Sequence, residues 1–283
     1  RNEKRIFGRT GQMKTILKVI FCAVVLSFIS VSWADEHTYW VGGAGNWLDP
    51  AMWTNGVPDT VPPTEGGRCV GFSGSTSAAY LGPGEISEFG SASFWSDFWG
   101  PEWGATLNID GGRMIHYGFV AAPIGAADAP SNIFVTNGGY LEVGELGLGD
   151  NWWFWDAPYA NLTVSDSTVK VRGWLWLGGQ INLLGNSTLD IGGLVNMAAH
   201  GSTYAKINIE DNAEMLIRGT AEGRDVYQEI LSWIANGQLV AFGGTGEVVV
   251  SQVPTGVLIT AVPEPATVIL LGLGGLTLLR KRI

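Results

Sequence analysis

Cysteine, histidine and charge are all scarce in this chain. Two cysteines occur in 283 residues, and one of them, Cys22, lies in an apolar run near the front without the small-residue context of a lipoprotein cleavage site. The body is left with Cys69. A single thiol cannot close an intramolecular disulfide, so an exported chain must hold without staples or pair between molecules, and burial is the expected fate of Cys69. Only 15% of the residues are charged, against about 25% in ordinary globular chains. Between Asp35 and Val262 there are 24 acidic and 7 basic residues. So acidic a body cannot neutralise phosphates, which excludes an ordinary nucleic-acid binder. The three histidines, His37, His116 and His200, sit in unrelated contexts, and no serine stands in a Gly-x-Ser-x-Gly elbow. A hydrolase triad therefore has little to build on.

Glycine and tryptophan are abundant instead, with 41 Gly and 13 Trp. That composition leans away from a helical bundle, and 46% hydrophobic residues suffice for a core and argue against disorder throughout. The length allows one elongated or all-β domain, or two small ones.

Nine of the 16 basic residues lie at the two ends. Residues 1–12 read as an upstream extension with no assigned role. With translation starting at Met13, residues 13–34 form a signal peptide: Lys14 and Lys18 precede an apolar run from Val19 to Val31, and Ser32-Trp33-Ala34 places small side chains where a signal peptidase inspects them. Cleavage between Ala34 and Asp35 follows. The alternative is a retained membrane anchor, against which the run is shorter than the ~20 residues a span needs.

At the other end, residues 263–283 open with Pro263-Glu264-Pro265, continue through the uncharged stretch Ala266 to Leu279, and close on Arg280-Lys281-Arg282. Fourteen residues make a helix of about 21 Å, short for a ~30 Å hydrocarbon core. The stretch is nevertheless apolar on every face, and terminal basic residues stay cytoplasmic and can snorkel. This tripartite tail closely resembles the PEP-CTERM sorting signal of Gram-negative bacteria that make extracellular polysaccharide. The resemblance implies a transmembrane helix, recognition of Pro263, Glu264 and Pro265 by the transpeptidase-like enzyme exosortase, and Arg280, Lys281 and Arg282 as the cytoplasmic stop. It covers only the tail, and its members share no single activity in the mature region.

Between the ends runs a repeated pattern. Apolar pairs start at Leu107, Ile133, Leu162, Ile181 and Ile207, with Ile109, Val135, Val164, Leu183 and Ile209 two positions on. Turn-forming residues follow at Gly111, Asn137, Asp166, Gly185 and Asp211. Second apolar pairs come next: Ile115/Tyr117, Leu141/Val143, Val169/Val171, Leu189/Ile191 and Met215/Ile217. Each unit then meets a glycine: Gly118, Gly144, Gly173, Gly192 or Gly219. Period-two alternation means half-buried strands, and one such unit cannot bury its apolar face alone. The fold expected is all-β: a parallel β-helix, or solenoid, of about five or six coils over residues 105–223, with an N-terminal signal helix and a C-terminal hydrophobic helix. A sandwich of hairpins is the alternative. Residues 35–104 form a Trp/Gly-rich β region and cap. Residues 224–262 supply a cap helix, carried by Val226, Tyr227, Ile230, Leu231 and Ile234 and stopped at Asn236-Gly237, and then strands at Val248–Val250 and Val257–Val262.

The segment Tyr39-Trp40-Val41-Gly42-Gly43-Ala44-Gly45-Asn46-Trp47 resembles the opening of many secreted bacterial β-repeat proteins, autotransporter-like and PEP-CTERM members among them. Paired tryptophans at glycine turns would plug the first coil. Elsewhere Trp95, Trp99 and Trp103 are spaced by four, while Trp152, Trp153, Trp155, Trp174 and Trp176 cluster around the longest inter-repeat segment. Planar rings on a β surface can stack on sugars, or simply pad the core.

Asp110, Asp166 and Asp211 occupy corner positions. Paired acids on a β-helix could serve a polysaccharide lyase or glycoside hydrolase, yet Asp also makes good turns through its own side chain. Gly149-Asp150-Asn151 and Glu210-Asp211-Asn212 offer oxygen ligands for a weak structural calcium, without EF-hand spacing. No catalytic residue, metal ligand or other cofactor is assigned. His116, between two expected inward positions, should face solvent. The reading favoured by sequence is an exported, noncatalytic protein of the cell surface, envelope or extracellular matrix, processed by signal peptidase and exosortase, held to the membrane through its C-terminal helix and binding extracellular polysaccharide. The alternative is a β-helical polysaccharide-acting enzyme carrying the same tail.

Overall fold

The computed structural model describes residues 38–58, 70–73, 77–89, 97–102, 104–122, 130–149, 159–197, 204–219 and 224–264. Two compact units divide the chain at Glu36/His37, and every described residue falls in the second. The signal segment, Cys69, His37, His200 and residues 266–283 lie outside the described residues. The fold is all-β, 56% strand, with one α-helix among the described residues. Among the described residues no helix is long and apolar enough to cross a membrane.

The described residues include twenty-one strands, numbered along the chain, arranged in three parallel ladders followed by an antiparallel end. The first ladder runs through β2 (Ala44–Asn46), β4 (Ala78–Leu81), β7 (Thr106–Asp110), β9 (Ser131–Thr136), β11 (Ala160–Ser165), β14 (Gln180–Leu184), β17 (Lys206–Ile209) and β19 (Leu239–Ala241). The second joins β5 (Ile86–Phe89), β8 (Arg113–Ala122), β10 (Tyr140–Leu148), β12 (Thr168–Val171), β15 (Thr188–Ile191) and β18 (Glu214–Ile217). The third joins β1 (Thr38–Tyr39), β3 (Val70–Ser73), β6 (Asp97–Glu102), the later halves of β8 and β10, β13 (Leu175–Leu177) and β16 (Val195–Met197). β8 and β10 serve two ladders, and their register shifts between Val143 and Glu145. The pairing joins each strand of a repeat to its counterpart one repeat away.

Register turns the apolar pattern into columns. Leu107, Ile133, Leu162, Ile181, Ile207 and Leu239 lie in line, as do Met114, Leu141, Val169, Leu189 and Met215. All are buried in one hydrophobic cluster with Leu146, Leu175 and Val195 of the third ladder. The inward pair on β8 is thus Met114 and His116, in register with Leu141 and Val143, rather than Ile115 and Tyr117. His116 is 1% exposed, with its ring 4.6 Å from Phe89, which corrects the expectation that it faces solvent. The turn at Gly111-Gly112 is one residue shorter than the template, and a one-residue slip exchanges the faces of a strand.

Two corners repeat. At the first, Gly111, Asn137, Asp166, Gly185 and Asp211 all take positive φ, between 48° and 69°, a conformation open to Gly and tolerated by Asn and Asp. At the second, glycines stack on one another: the Gly173 N–H donates to the Gly144 carbonyl at 2.6 Å, Gly193 to Gly173 at 2.8 Å and Gly219 to Gly193 at 3.0 Å. Gly193, not Gly192, occupies the stacked position.

The ends differ from the middle. Trp47 is fully buried, with Trp53 edge-on at 4.7 Å and Trp40 edge-on to Trp53 at 5.1 Å. At the far end α1 (Val226–Ala235) is capped by Asp225, whose side chain accepts from the Gln228 N–H, and buries Ile230 and Trp233. A hairpin of β20 (Gly246–Val253) and β21 (Gly256–Pro263) follows, with β21 antiparallel to β18. The sheet is therefore mixed: the chain turns back on itself to cover the last repeat instead of adding another parallel strand.

A Cβ at residue 193 would lie 2.5 Å from the Gly173 carbonyl oxygen, and one at residue 219 would lie 2.0 Å from that of Gly193. Gly193→Ala and Gly219→Ala are each expected to cost about 1–3 kcal/mol as overpacking. A lowered urea midpoint with an unchanged slope would report it, and wild-type midpoints would refute the stacked corner.

Candidate functional site

Three outer regions present side chains capable of recognition or chemistry. The first is the end of β21. Val257 and Ile259 of this strand are buried, while Val262 is 44% exposed and Pro263 and Glu264 are exposed. Pro263 lies opposite Gly246 at the last rung of the hairpin. Lacking an N–H, proline suits the end of a ladder and cannot extend it as a donor. A recess of about 710 Å³ lies beside Glu264, lined by Leu231, Ile234, Val240 and Val248 among others. Pro265, Arg280, Lys281 and Arg282 lie outside the described residues, as do Ala34 and Asp35.

The second region is the outer side of β13. Leu175 and Leu177 point inward and are buried, so period two places Trp174 and Trp176 outward, where they are half-buried. Their rings stack at 5.3 Å and 17°. The Trp176 indole N–H donates to Glu145 Oε2 at 3.4 Å, and the Arg224 guanidinium lies 6.0 Å from the Trp174 ring centroid. Arg224 is itself tied to Glu229 and to the Val195 carbonyl. Trp152, Trp153 and Trp155 lie outside the described residues, so of the five only Trp174 and Trp176 are placed together.

The third region is a charged network on the second ladder. Glu142 accepts from Arg172 Nε at 2.7 Å, from the Tyr140 hydroxyl at 2.6 Å, and pairs with Lys170 at 3.1 Å. Burial works against its charge, yet the bonds from Tyr140, Arg172 and Lys170 outweigh it and hold Glu142 down to about 2. Burial and the same bond push Tyr140 up to about 12. Arg172 also lies over the Tyr117 ring at 4.5 Å. Sequence reasoning missed this network. Its signal is there: Glu142, Lys170 and Asp190 fill the position between the apolar pair in successive repeats, so register stacks opposite charges.

The corner carboxylates make turns. Asp110 Oδ1 accepts from Asn137 Nδ2 at 2.5 Å, Asp166 Oδ1 from the Asn186 N–H at 2.9 Å, and Asp211 Oδ2 from the Gly185 N–H at 3.3 Å. Each bond ties one repeat to another. Glu210 Oε1 accepts from Asn208 Nδ2 at 2.8 Å. Among the described residues no three His, Cys, Asp or Glu side chains gather as a metal site would require; Asp150 and Asn151 lie outside them.

With the exposed strand end in view, a family model for the PEP-CTERM protein-sorting motif matches residues 261–282. The chain carries a PEP-CTERM protein-sorting motif. The match begins at Ala261, inside β21, so the motif's first residues belong to the folded body and its Pro-Glu pair stands at the surface. The motif implies recognition by exosortase and export to the cell envelope or surface of a Gram-negative bacterium. No curated protein and no solved structure matches the chain.

The Glu142 network sets a pH dependence. Its carboxyl is depressed from 4.5 to about 2, so its contribution is whole above about pH 4.5 and lost as pH falls towards 2. Lys170 and Arg172 are 43% and 37% exposed, and discounting for solvent leaves about 1–2 kcal/mol. Urea titrations through the acid range should show that loss in the wild type. Glu142→Gln should be less stable at neutral pH and lack the Glu142 share of the acid slope; an unchanged slope would contradict this assignment.

Proposed function

We propose that this protein is an exported, noncatalytic component of the cell surface or extracellular matrix, whose body is a parallel β-helix and whose tail is processed by exosortase. The observation that carries the reading is the placement of the sorting motif on an exposed strand end behind a body of stacked repeats. Three parallel ladders sharing one core support the β-helix, since strands that pair only with counterparts in neighbouring repeats are the coils of a solenoid. The antiparallel hairpin then acts as its cap.

The fate of the carboxylates supports a noncatalytic body. Glycoside hydrolysis needs two acids facing a common substrate. Here Asp110, Asp166 and Asp211 hold corners, Asp190 pairs with Arg218, Glu229 with Arg224, and Glu142 with Lys170 and Arg172. An acid held down to about 2 is a poor proton donor at neutral pH. The stacked pair Trp174 and Trp176 offers a surface for polysaccharide.

Intact mass of the protein recovered from its native envelope and medium, with sequencing of terminal peptides, tests the reading. The expected product starts near Asp35 and ends near Pro263 to Pro265. A product that keeps Leu279 and Arg280 in the membrane would make the tail a lasting anchor and overturn processing.

A further inference from the structure

The first ladder differs from the others on its outer side. Register places Thr106, Asn132, Asn161, Gln180 and Lys206 in one outward row, and Asn108, Phe134, Thr163, Asn182 and Asn208 in the next. Lys206 is the single charged residue among these ten, on a body with 24 acidic and 7 basic residues. Part of the strip is internally satisfied: Asn161 Nδ2 donates to Asn132 Oδ1 at 3.0 Å. Its lower end is not. A recess of about 210 Å³ opens there, lined by Gln180, Asn182, Lys206, Asn208 and Gly243. Asn208 is fixed from both sides, accepting from the Gly243 N–H at 2.9 Å and donating to Glu210. The side chains of Gln180, Asn182 and Lys206 have no hydrogen-bond partner among the described residues.

We infer that this recess and the strip above it bind a neutral polysaccharide strand laid along the stack. Primary amides donate and accept at once, as sugar hydroxyls do, and three unsatisfied polar groups converge on one concavity. The amide and hydroxyl groups recur at the ~4.8 Å strand spacing, which presents a repeated set of partners to a repeated ligand. One lysine against an acidic body disfavours a polyanion. Few apolar side chains face outward here, whereas the cores of protein interfaces are about 65% apolar, so a second protein is the poorer occupant. Tyr159 and Tyr204 stand beside the strip, each two residues ahead of an outward position. Their rings are 5.1 Å apart, their hydroxyls are bonded at 3.3 Å, and Tyr204 is 47% exposed. They supply an aromatic wall for the apolar face of a sugar.

This inference rests on the reading of an exported matrix protein but places the glycan on a different face from Trp174 and Trp176. The test uses the full chain from its host and the extracellular polysaccharide of the same host, divided into neutral and acidic fractions by anion exchange. In affinity electrophoresis the neutral fraction should retard the protein, Gln180→Ala/Asn182→Ala should weaken retardation about tenfold, and Asp190→Asn/Arg218→Gln, which removes an ion pair on the second ladder, should leave it intact. Circular dichroism of both variants separates lost binding from lost folding. No retardation, retardation by the acidic fraction alone, or retardation indifferent to Gln180 and Asn182 would overturn the inference. Loss in a Trp174→Ala/Trp176→Ala variant with Gln180→Ala/Asn182→Ala unaffected would overturn it too, while leaving the polysaccharide reading in place.

Discussion

The structure depends on how closely one repeat can lie on the next. At the glycine corner the carbonyl of each repeat occupies the space where a Cβ of the following one would stand, 2.5 Å away at Gly193 and 2.0 Å at Gly219. Backbone must touch backbone there, and only then do the flanking strands reach pairing distance in both ladders at once. The opposite corner solves the complementary problem with left-handed Gly, Asn and Asp, whose side chains also tie repeat to repeat. With a single cysteine in the body, these contacts and the apolar columns must do what disulfides do in many exported domains.

That constraint decides where chemistry can reside. Among the described repeat residues, inward positions are consumed by the core and corner positions by turns, which leaves the outward rows. The second ladder spends its row on a Glu142–Lys170–Arg172–Tyr140 network that neutralises buried charge. The third carries the stacked tryptophans, partly clamped by Arg224. The first keeps its outward row almost uncharged and leaves three polar side chains at a recess without a hydrogen-bond partner among the described residues. A ligand in that concavity meets donors and acceptors that no protein group already occupies, beside an Asn208 amide held from both sides.

Much of this was legible in the sequence because a strand's period and a turn's φ are local properties. The five turn residues chosen by type all carry positive φ, and the apolar columns follow from the template. His116 went astray because one residue fewer at Gly111-Gly112 reverses the faces of β8, and apolar Ile115 and aromatic Tyr117 mimic an inward pair. Gly192 and Gly193 are adjacent and indistinguishable by type; only the carbonyl beneath separates them. The third ladder was hidden because its strands are three-residue pieces or continuations of β8 and β10 through glycine, where no turn signal marks a boundary. The amide recess was hidden for another reason: Gln180, Asn182 and Lys206 lie on two strands 26 residues apart in register, so their convergence exists only after stacking.

The sorting motif and the body are joined in a way that makes their roles separable. Val257 and Ile259 seal the last repeat, whereas the backbone from Val262 onward contributes exposed residues only as far as Glu264. Proline at 263 ends the ladder at the rung where the hairpin itself ends. A peptide bond broken beyond Glu264 would remove no described core residue and no described rung of β21, so a cap built this way survives the loss of its tail. Had the motif begun eight residues earlier, at Val253, the same cut would fall after Gly256, strip Val257 to Thr260 from Met215 and Ile217 and expose the edge of β18 to other chains. The position of the motif within the final strand is therefore a structural condition for tail removal without unfolding.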